Sequence, residues 1–307
     1  MQRSFLGIEI GGTKLQLVAG DADARITARR RFTVDKARGG AGIREQIAAA
    51  LPKLMDLAKP AAIGVGFGGP VDSATGQICC SHQIEGWSEF PLGEWLRGLT
   101  GLPVTVDNDA NTAALGEALR GAGVGSNPVF YVTLGSGVGG GLVVAGRIYH
   151  GAKPGEAEIG HVRLDKSGAT IEQRCAGWAV DRKIREACQR EPRSPLAQLT
   201  ADADHGEARA LAPALAQGDA LARRILDEVA DDLAFGLSHV TQLMHPEVMV
   251  LGGGLSLVGE PLRAAVASAL KRYVMEAFAP GPRVALAGLG EDAVPTGALL
   301  LARGASQ

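Results

Sequence analysis

Asp107, Asn108 and Asp109 form a compact polar group that lies between a short apolar run and an alanine-rich stretch. An ionised carboxylate accepts a proton, so an aspartate at this place could serve as a general base. The same residue types also cap helices, because their side-chain oxygens accept hydrogen bonds from the first backbone amides. Spacing alone favours the helix cap and leaves catalysis as the alternative.

Glycine-rich turns are the second candidate for chemistry. Residues 64–69 and 135–140 both match the pattern G-x-G-x-x-G. A dinucleotide site also needs a helix directly after the glycines, and residues 70–72 and the apolar run 142–144 predict none. Residues 7–14 lack the Gly-Lys-Ser/Thr ending of a P-loop. Two interpretations remain, a turn between strands whose bare amides cradle phosphate, or an ordinary hairpin, and the presence of three such turns favours the cradle.

Other reactive side chains are sparse. Glu158 and His161 are three residues apart, a spacing that by itself is typical of a surface ion pair. The four cysteines, Cys79, Cys80, Cys175 and Cys188, show no C-x-x-C spacing, so neither a disulfide framework nor a zinc cluster is indicated. A reducing, cytoplasmic environment fits this cysteine usage.

Strand hairpins that alternate with helices would have to position these groups. The pattern predicts strands at residues 5–10, 15–19, 62–67, 104–106, 129–134, 140–145 and 247–251. It predicts helices at residues 42–59, 110–119, 219–244 and 260–278, the first with Pro52 inside it. The alternation indicates α/β layers, and two similar halves indicate a cleft between two domains.

Composition fits this organisation. At roughly 150 residues per domain, a chain of 307 residues suggests about two domains. The net charge of −2 and the absence of a basic stripe give no support to nucleic-acid binding. Glu9 and Lys14 interrupt the apolar start, so export is not expected. The uncharged residues 128–146 contain six glycines and fit two strands and a turn better than a membrane span.

Taken in order, five segments resemble the motifs of the ROK family of sugar kinases. They are GIEIGGTK at 7–14, VDNDAN at 106–111, TLGSGVGGG at 133–141, GEAEIGH at 155–161 and VLGGG at 250–254. The resemblance runs from residue 6 to about 302. It implies the two-domain actin-like ATPase (ribonuclease H-like) fold with an interdomain cleft. The small α/β domain would comprise residues 1–112 with a C-terminal tail of about 293–307, and the large α/β domain residues 113–292.

The resemblance also implies roles for individual residues. Asp109 would be the general base, and Asn108 would bind sugar hydroxyls. The other implied sugar-binding residues are Gly69, Glu158 and His161. The implied nucleotide-binding residues are Gly11, Gly12, Thr13, Lys14, Gly135, Ser136, Gly137, Gly252, Gly253 and Gly254. Glu9 stands where the family most often has Asp, so Mg²⁺ would be held there directly or through water.

Two further departures from the family pattern concern the sugar and a metal. Gln83 stands where many members have Asn, which would alter the sugar preference. Most members carry a cysteine-rich zinc segment after the Glu-x-Gly-His motif, but here only Cys175 remains. Because a closed zinc site needs about four ligands, no structural zinc is predicted, and Trp178 would pack where the metal loop would lie.

The resulting prediction is a cytoplasmic, ATP- and Mg²⁺-dependent hexose kinase of the glucokinase type that phosphorylates O6 of glucose or a related hexose. A homodimer is implied, and neither a nucleic acid nor a membrane is an expected partner. A fructokinase or an N-acetylhexosamine kinase is the alternative within the family. A sugar-responsive repressor would carry a helix-turn-helix before the first motif, whereas this sequence reaches Gly7 almost at once. An ATP-driven conformational machine is a third possibility, against which the Glu158/His161 motif argues.

Overall fold

The computed structural model describes residues 3–81, 84–153 and 157–305. Its internal contacts divide the chain into two compact units. Unit 1 comprises residues 1–125, 141–157 and 288–307, and unit 2 comprises residues 126–140 and 158–287. The domain boundaries expected from the sequence, at residues 112 and 293, stay a prediction.

Unit 1 is built on a five-stranded sheet with the order β3-β2-β1-β4-β7. Its strands are β1 (Ser4–Ile10), β2 (Lys14–Asp21), β3 (Ile26–Thr33), β4 (Ile63–Phe67) and β7 (Val104–Asn108). Strands β1, β2 and β3 are antiparallel neighbours, whereas β4 pairs in parallel with β1 and β7. A separate two-stranded ribbon consists of β5 (Val71–Asp72) and β6 (Gln77–Ile78).

The described residues of unit 1 form four α-helices. They are α1 (Gly39–Ala58), α2 (Leu92–Thr100), α3 (Asp109–Arg120) and α10 (Ala293–Ala305). Helix α10 packs on α3, β1 and β4. The close approach of α10 to β4 requires glycine at position 64, because a Cβ on Gly64 would collide with the carbonyl of Ala298. Pro52 lies inside α1, as expected from the sequence.

The core of unit 1 lies on both faces of this sheet. Because successive side chains of a strand point to opposite faces, β1 contributes to two clusters. Leu6, Ile8 and Ile10 pack in the larger cluster, which also contains residues of α1 and α2. Phe5 packs in the smaller cluster with Leu299 of α10.

The second five-stranded sheet has the order β10-β9-β8-β11-β12. Its strands are β8 (Val129–Leu134), β9 (Val138–Val144), β10 (Arg147–Ile148), β11 (Val248–Gly252) and β12 (Arg283–Leu286). Unit 2 holds β8, β11 and β12, in which β11 pairs in parallel with both neighbours. The described helices of unit 2 are α4 (Ile171–Cys175), α5 (Gly177–Arg190), α6 (Pro195–Leu199), α7 (Leu211–Ala216), α8 (Ala220–Met244) and α9 (Glu260–Leu270).

The expectation of one helix over residues 260–278 is wrong. Helix α9 ends at Leu270, and the backbone continues in turns to a short 3-10 segment, Glu276–Phe278. The hydroxyl of Tyr273 donates a hydrogen bond to Asp231 of α8, at 2.7 Å. This contact holds the turn against α8 and accompanies the end of the helix, although residues 271–278 have an ordinary helical composition.

The remaining predicted elements are confirmed with small shifts at their ends. The sequence pattern did not indicate strands β3, β5, β6, β10 and β12 or helices α2, α4, α5, α6, α7 and α10. Within the described part of the chain, no helix combines the length and the apolar character needed to cross a membrane.

Candidate active site

Asn108 caps α3, as the spacing predicts. Its Oδ1 accepts hydrogen bonds from the backbone amides of Ala110, at 2.8 Å, and Asn111, at 3.2 Å. Its Nδ2 donates to the carbonyl of Gly69, at 3.2 Å. The side chain therefore joins the start of α3 to the glycine turn after β4. The cap is provided by Asn108 and not by Asp109, which is the first residue of α3. The cap at Asn108 and a catalytic role of Asp109 are therefore compatible interpretations.

Asp109 lies beside two of the glycine turns. Its Oδ1 accepts a hydrogen bond from the amide of Ala110, at 2.8 Å. A Cβ on Gly68 would lie 3.4 Å from Oδ2 of Asp109 and 3.6 Å from the Cα of Gly11. The parallel pairing of β1, β4 and β7 explains this meeting, because the carboxyl ends of parallel strands lie at one edge of a sheet. The carboxylate predicted as base thus adjoins the first predicted phosphate turn.

The first predicted phosphate turn is a tight link between β1 and β2. The amide of Gly11 donates to the carbonyl of Lys14, at 2.9 Å, and the carbonyl of Thr13 accepts from the amide of Val34, at 3.1 Å. Gly11 and Gly12 add no side chain to this surface. Bare backbone of this kind lets an anionic group approach closely.

Glu9 is the charged centre of a partly buried network of β1 and β2. Its carboxylate forms an ion pair with Nζ of Lys14, at 3.1 Å, and accepts a hydrogen bond from Nε2 of Gln16, at 2.7 Å. Gln16 in turn accepts from Arg29 and Arg31 with its Oε1. Burial raises the pKa of Glu9 above its ordinary value of 4.5, against the opposing effects of Lys14 and Gln16.

Asp107 has a partner that sequence reasoning missed. It is buried, and its Oδ1 accepts from the amide of Asn108, at 2.8 Å, and from Nδ2 of Asn111, at 3.1 Å. Its Oδ2 lies 2.7 Å from Nε2 of His150. His150 follows β10, 43 residues further along the chain, so no local pattern could connect the two.

In unit 2, the turn after β8 is held by two neighbouring segments. The amide of Gly135 donates to the carbonyl of Gly137, at 2.9 Å, and the carbonyl of Gly135 accepts from the amide of Gly177, at 2.8 Å. Gly177 is the first residue of α5, so the N-terminus of a 14-residue helix adjoins this turn. Glu172 accepts a hydrogen bond from the amide of Val138, at 2.9 Å.

The turn after β11 packs directly against the end of β8. Gly253 has φ 79° and ψ 179°, a conformation that essentially only glycine adopts. A Cβ on Gly253 would lie 2.5 Å from the amide nitrogen of Leu134, and one on Gly252 would collide with the ring of Tyr131. A Cβ on Gly254, in contrast, would meet nothing within 4 Å. Two of the three glycines are thus required by close packing.

A cavity of about 620 Å³ within unit 2 brings these two turns together. Its lining residues are Leu134, Gly135, Ser136, Gly177, Trp178, Asp181, Gly206, Ala208, Arg209, Ala212, Gly254, Leu255, Leu257 and Val258. The volume lies within the usual 300–1,000 Å³ range of small-molecule sites. Of the nucleotide residues expected from the sequence, Gly135, Ser136 and Gly254 line the cavity.

Several residues of this cavity were not expected from the sequence to line a nucleotide site. Trp178 is 43% exposed and Leu257 is 82% exposed, so both offer apolar surface to a ligand. The guanidinium of Arg182 lies 5.3 Å from the centre of the Trp178 ring. Asp181 accepts hydrogen bonds from the amides of Gly206 and Ala208 and thereby holds the opposite wall. That Trp178 takes the place of a metal loop stays a prediction.

Glu158 and His161 lie close together in unit 2. Nε2 of His161 is 3.9 Å from Oε2 of Glu158, and both side chains are largely exposed. The motif that contains them begins with Gly155 and Glu156, which lie outside the described residues, as does Gln83. Their role in sugar binding therefore stays a prediction.

Cys175 is a core residue. It is fully buried, its thiol donates to the carbonyl of Val229 at 3.6 Å, and burial raises its pKa to about 12. A thiol must lose its proton to bind zinc, and this environment opposes that loss. Among the described residues, no group of three or more His, Cys, Asp and Glu side chains could hold a metal ion. The absence of structural zinc stays a prediction that metal analysis would test.

The fold and these turns define a class of protein. The chain is an α/β protein with the two-domain actin-like ATPase fold, as in solved ROK glucokinase structures. The sequence model of the ROK family matches residues 5–305. This chain therefore belongs to the ROK family, which confirms the resemblance seen in its motifs.

Individual relatives are similar along nearly the whole chain. A glucokinase of Halalkalibacterium halodurans is 34% identical over 308 residues, which cover 95% of this chain and 92% of that protein. A glucokinase of Thermotoga maritima is 30% identical over 302 residues, which cover 96% and 95%. The crystal structure of a ROK family glucokinase from Streptomyces griseus, in complex with glucose and AMPPNP, has a TM-score of 0.85 and 30% identity. It covers 98% of this chain and 99% of that chain.

Proposed function

We propose that this protein is an ATP-dependent hexose kinase of the glucokinase type, which transfers the γ-phosphoryl group to O6 of glucose or a related hexose. The observation that carries the proposal is the position of Asp109 beside Gly68 and the Gly11 turn. Phosphoryl transfer to a sugar requires a carboxylate near the phosphate end of the donor, and little other covalent chemistry. The glucokinase relatives, one of them bound to glucose and an ATP analogue, support the same activity.

Asp109 would act as the general base. Its carboxylate would accept the proton of the sugar hydroxyl as the oxygen attacks the γ-phosphorus. Asn108 would orient the sugar from the neighbouring position, with its amide already fixed by Gly69 and α3. Gly69, Glu158 and His161 complete the proposed set of sugar-binding residues. Several polar partners are needed because each buried hydroxyl left unpaired costs about 1–3 kcal/mol.

The donor would be bound by the glycine turns. Gly11, Gly12, Thr13 and Lys14 would line the phosphate end of the donor in unit 1, and Gly135, Ser136 and Gly137 would line it in unit 2. The adenosine would occupy the cavity of unit 2 beside Gly252, Gly253 and Gly254. Trp178 and Leu257 would cover its apolar surface there.

Glu9 is the proposed contact to Mg²⁺, directly or through water. Mg²⁺ is usually bound by one or two carboxylates together with phosphate oxygens and water, so a single glutamate fits the requirement. The metal would neutralise phosphate charge. Glu9 keeps Lys14 in place at the same turn, 3.1 Å away. A cytoplasmic location and a homodimer complete the proposal, on the resemblance to the family.

A coupled ADP-release assay tests this function. Glucose, fructose, mannose and N-acetylhexosamines are each offered with ATP and Mg²⁺, and Asp109→Asn is the matched control. We expect glucose to be phosphorylated with the highest kcat/KM. A preference for fructose or an N-acetylhexosamine would identify a different sugar as the substrate of the same phosphoryl-transfer reaction. Phosphorylation of no sugar would contradict the proposal, and ATP hydrolysis that is independent of sugar would favour a conformational machine.

A further inference from the structure

The segment of residues 149–153 connects β10 to the motif that contains Glu158 and His161. The amide of Tyr149 donates to the carbonyl of Leu142 of β9, at 2.8 Å, so the segment leaves the sheet at that point. Beyond it, two side chains attach the segment to other parts of unit 1. Both attachments reach residues next to the proposed sugar-binding group.

The first attachment is His150 on Asp107. Nε2 of His150 lies 2.7 Å from Oδ2 of Asp107, whose side chain is 3% exposed, while that of His150 is 33% exposed. Because a carboxylate only accepts hydrogen bonds, the imidazole is the donor in this contact. The other oxygen of Asp107 is occupied by the amide of Asn108 and by Asn111. His150 thus completes the hydrogen bonding of a buried carboxylate that grips the start of α3.

The second attachment is Lys153 on Asp72. Nζ of Lys153 lies 2.8 Å from Oδ2 of Asp72, and the Lys153 side chain is 66% exposed. The hydrogen bond from Lys153 lowers the pKa of Asp72. Asp72 is the last residue of β5, the short strand that follows Gly69. Exposed ion pairs of this kind contribute little, so the buried contact of His150 is the stronger of the two attachments.

We propose that His150 is a positioning residue for sugar binding and proton transfer. It acts through Asp107, whose carboxylate fixes the backbone at Asn108 and the side chain of Asn111, and so sets the geometry of Asn108 and Asp109. His150 also fixes one end of the segment that leads to Glu158 and His161. The inference rests on the proposed function, and it adds a residue that none of the motifs contains.

Loss of His150 should therefore impair the use of the sugar more than the binding of ATP. Removing the imidazole leaves a buried carboxylate oxygen without this donor, and the start of α3 becomes free to shift. The sugar and the reacting hydroxyl are sensitive to that shift, since small displacements of a base reduce catalysis strongly. The cavity of unit 2 contains no residue of this group, so the KM for ATP stays near its wild-type value.

Steady-state kinetics of three variants test the proposal. We expect His150→Ala to lower kcat/KM for the sugar by about tenfold or more while the KM for ATP changes less than about twofold. His150→Gln keeps an N–H donor at a similar distance and restores most of the loss. Lys153→Ala, in the same segment, has a small effect. A parallel rise of both KM values, or equal losses in His150→Ala and His150→Gln, would overturn the positioning role.

Hydrogen exchange gives a second readout that does not depend on catalysis. The full-length protein is allowed to exchange and is then digested, and mass spectrometry of the peptide that contains residues 108–111 is expected to show faster amide exchange in His150→Ala than in wild type or Lys153→Ala. Unchanged exchange at these amides overturns the proposal even if activity falls. If the wild-type protein phosphorylates no sugar, the proposed function fails, and the exchange data still decide whether His150 positions this segment.

Discussion

The carboxylate of Asp109 stands at the first position of α3, where the helix start and the glycine turns meet. An aspartate at this position would stabilise a helix even without catalysis, since the N-terminus of a helix favours negative charge. Replacement of Asp109 by asparagine distinguishes the role of a general base from that of a helix-stabilising residue. A general base loses its function when it cannot accept the proton, whereas a first-turn residue loses only a small stabilisation.

We therefore expect Asp109→Asn to reduce kcat by about 10²–10⁴-fold, the range typical of a lost general base. Nucleotide binding stays largely intact, because the amide has nearly the same shape as the carboxylate. Stopped-flow or coupled kinetics would measure kcat, and calorimetric titration with AMPPNP would measure binding. A variant with near-normal turnover would refute the catalytic role.

Glu9 leads to a prediction about pH. Burial raises its pKa above 4.5, so the folded protein holds this proton more tightly than the unfolded chain does. The contribution of Glu9 to the free energy of unfolding therefore falls as the pH rises from about 4.5 through the raised pKa. In Glu9→Gln this titration is absent. Urea unfolding at a series of pH values should show wild type losing stability relative to Glu9→Gln over that window.

Glu260 provides a control of opposite sign for this experiment. A hydrogen bond from Arg263 lowers its pKa, so its stabilising contribution is present above the ordinary pKa and is lost as the pH falls through the lowered one. Wild type should therefore gain stability relative to Glu260→Gln as the pH rises. If wild type gained stability relative to Glu9→Gln as the pH rises above about 4.5, the inferred pKa direction of Glu9 would be wrong.

At the scale of elements, the turn after β11 offers a pair of neighbouring substitutions with opposite expectations. Gly253→Ala forces alanine into a glycine-only conformation and places its Cβ 2.5 Å from the backbone of Leu134. We expect a loss of at least about 1–3 kcal/mol in the free energy of unfolding and a higher KM for ATP. Thermal or denaturant unfolding and kinetics would measure both.

Gly254→Ala is the matched control, since its Cβ meets nothing within 4 Å. It should leave stability nearly unchanged, and any rise in the KM for ATP would come from its place in the cavity lining. Equal destabilisation by the two substitutions would show that the packing of Gly253 against β8 is not the cause.

The elements also show where sequence reasoning succeeds. Glycine turns at strand ends and the cap at Asn108 are local features, so residue type and spacing predict them well. Strand β3 was not predicted because Arg29, Arg30 and Arg31 interrupt its apolar pattern, and its charges are accommodated by partners distant in sequence. The early end of α9 accompanies a tertiary contact of Tyr273 that the local composition does not reveal.

The residues of the candidate site also fall into two groups, those that the sequence predicted and those that it did not. Asn108, Asp109 and the glycines were identified from motifs. His150, Asp181 and Arg209 were not, because their significance comes from contacts or a cavity formed by segments far apart in the chain. Such partners follow from the three-dimensional fold and have no signature of spacing.

At the scale of the whole molecule, binding of the donor should stabilise the protein. AMPPNP at about one hundred times its dissociation constant is expected to raise the free energy of unfolding by about 2.7 kcal/mol, provided that the unfolded chain does not bind it. Trp178→Leu, which removes the ring from the cavity, should weaken AMPPNP and reduce the shift in Tm at fixed concentration. Equal shifts in wild type and this variant would place the nucleoside elsewhere.

Association is the other property of the whole molecule. The proposed homodimer should sediment with a mass twice the 31.6 kDa of the chain and dissociate on dilution according to mass action. Sedimentation velocity over a series of protein concentrations measures both. A species of 31.6 kDa at every concentration would contradict the homodimer.

The discontinuity of unit 1 has a consequence for the order of synthesis. Helix α10 supplies Leu299 to the core of this unit, and buried Glu117 accepts hydrogen bonds from the amides of Gly288 and Leu289 with its carboxylate. These partners are translated only after all of unit 2 has left the peptidyl-transferase centre. On the ribosome, the part of the unit 1 sheet that α10 covers therefore stays exposed until residues 288–305 are made, by which time the whole sequence of unit 2 has been synthesised.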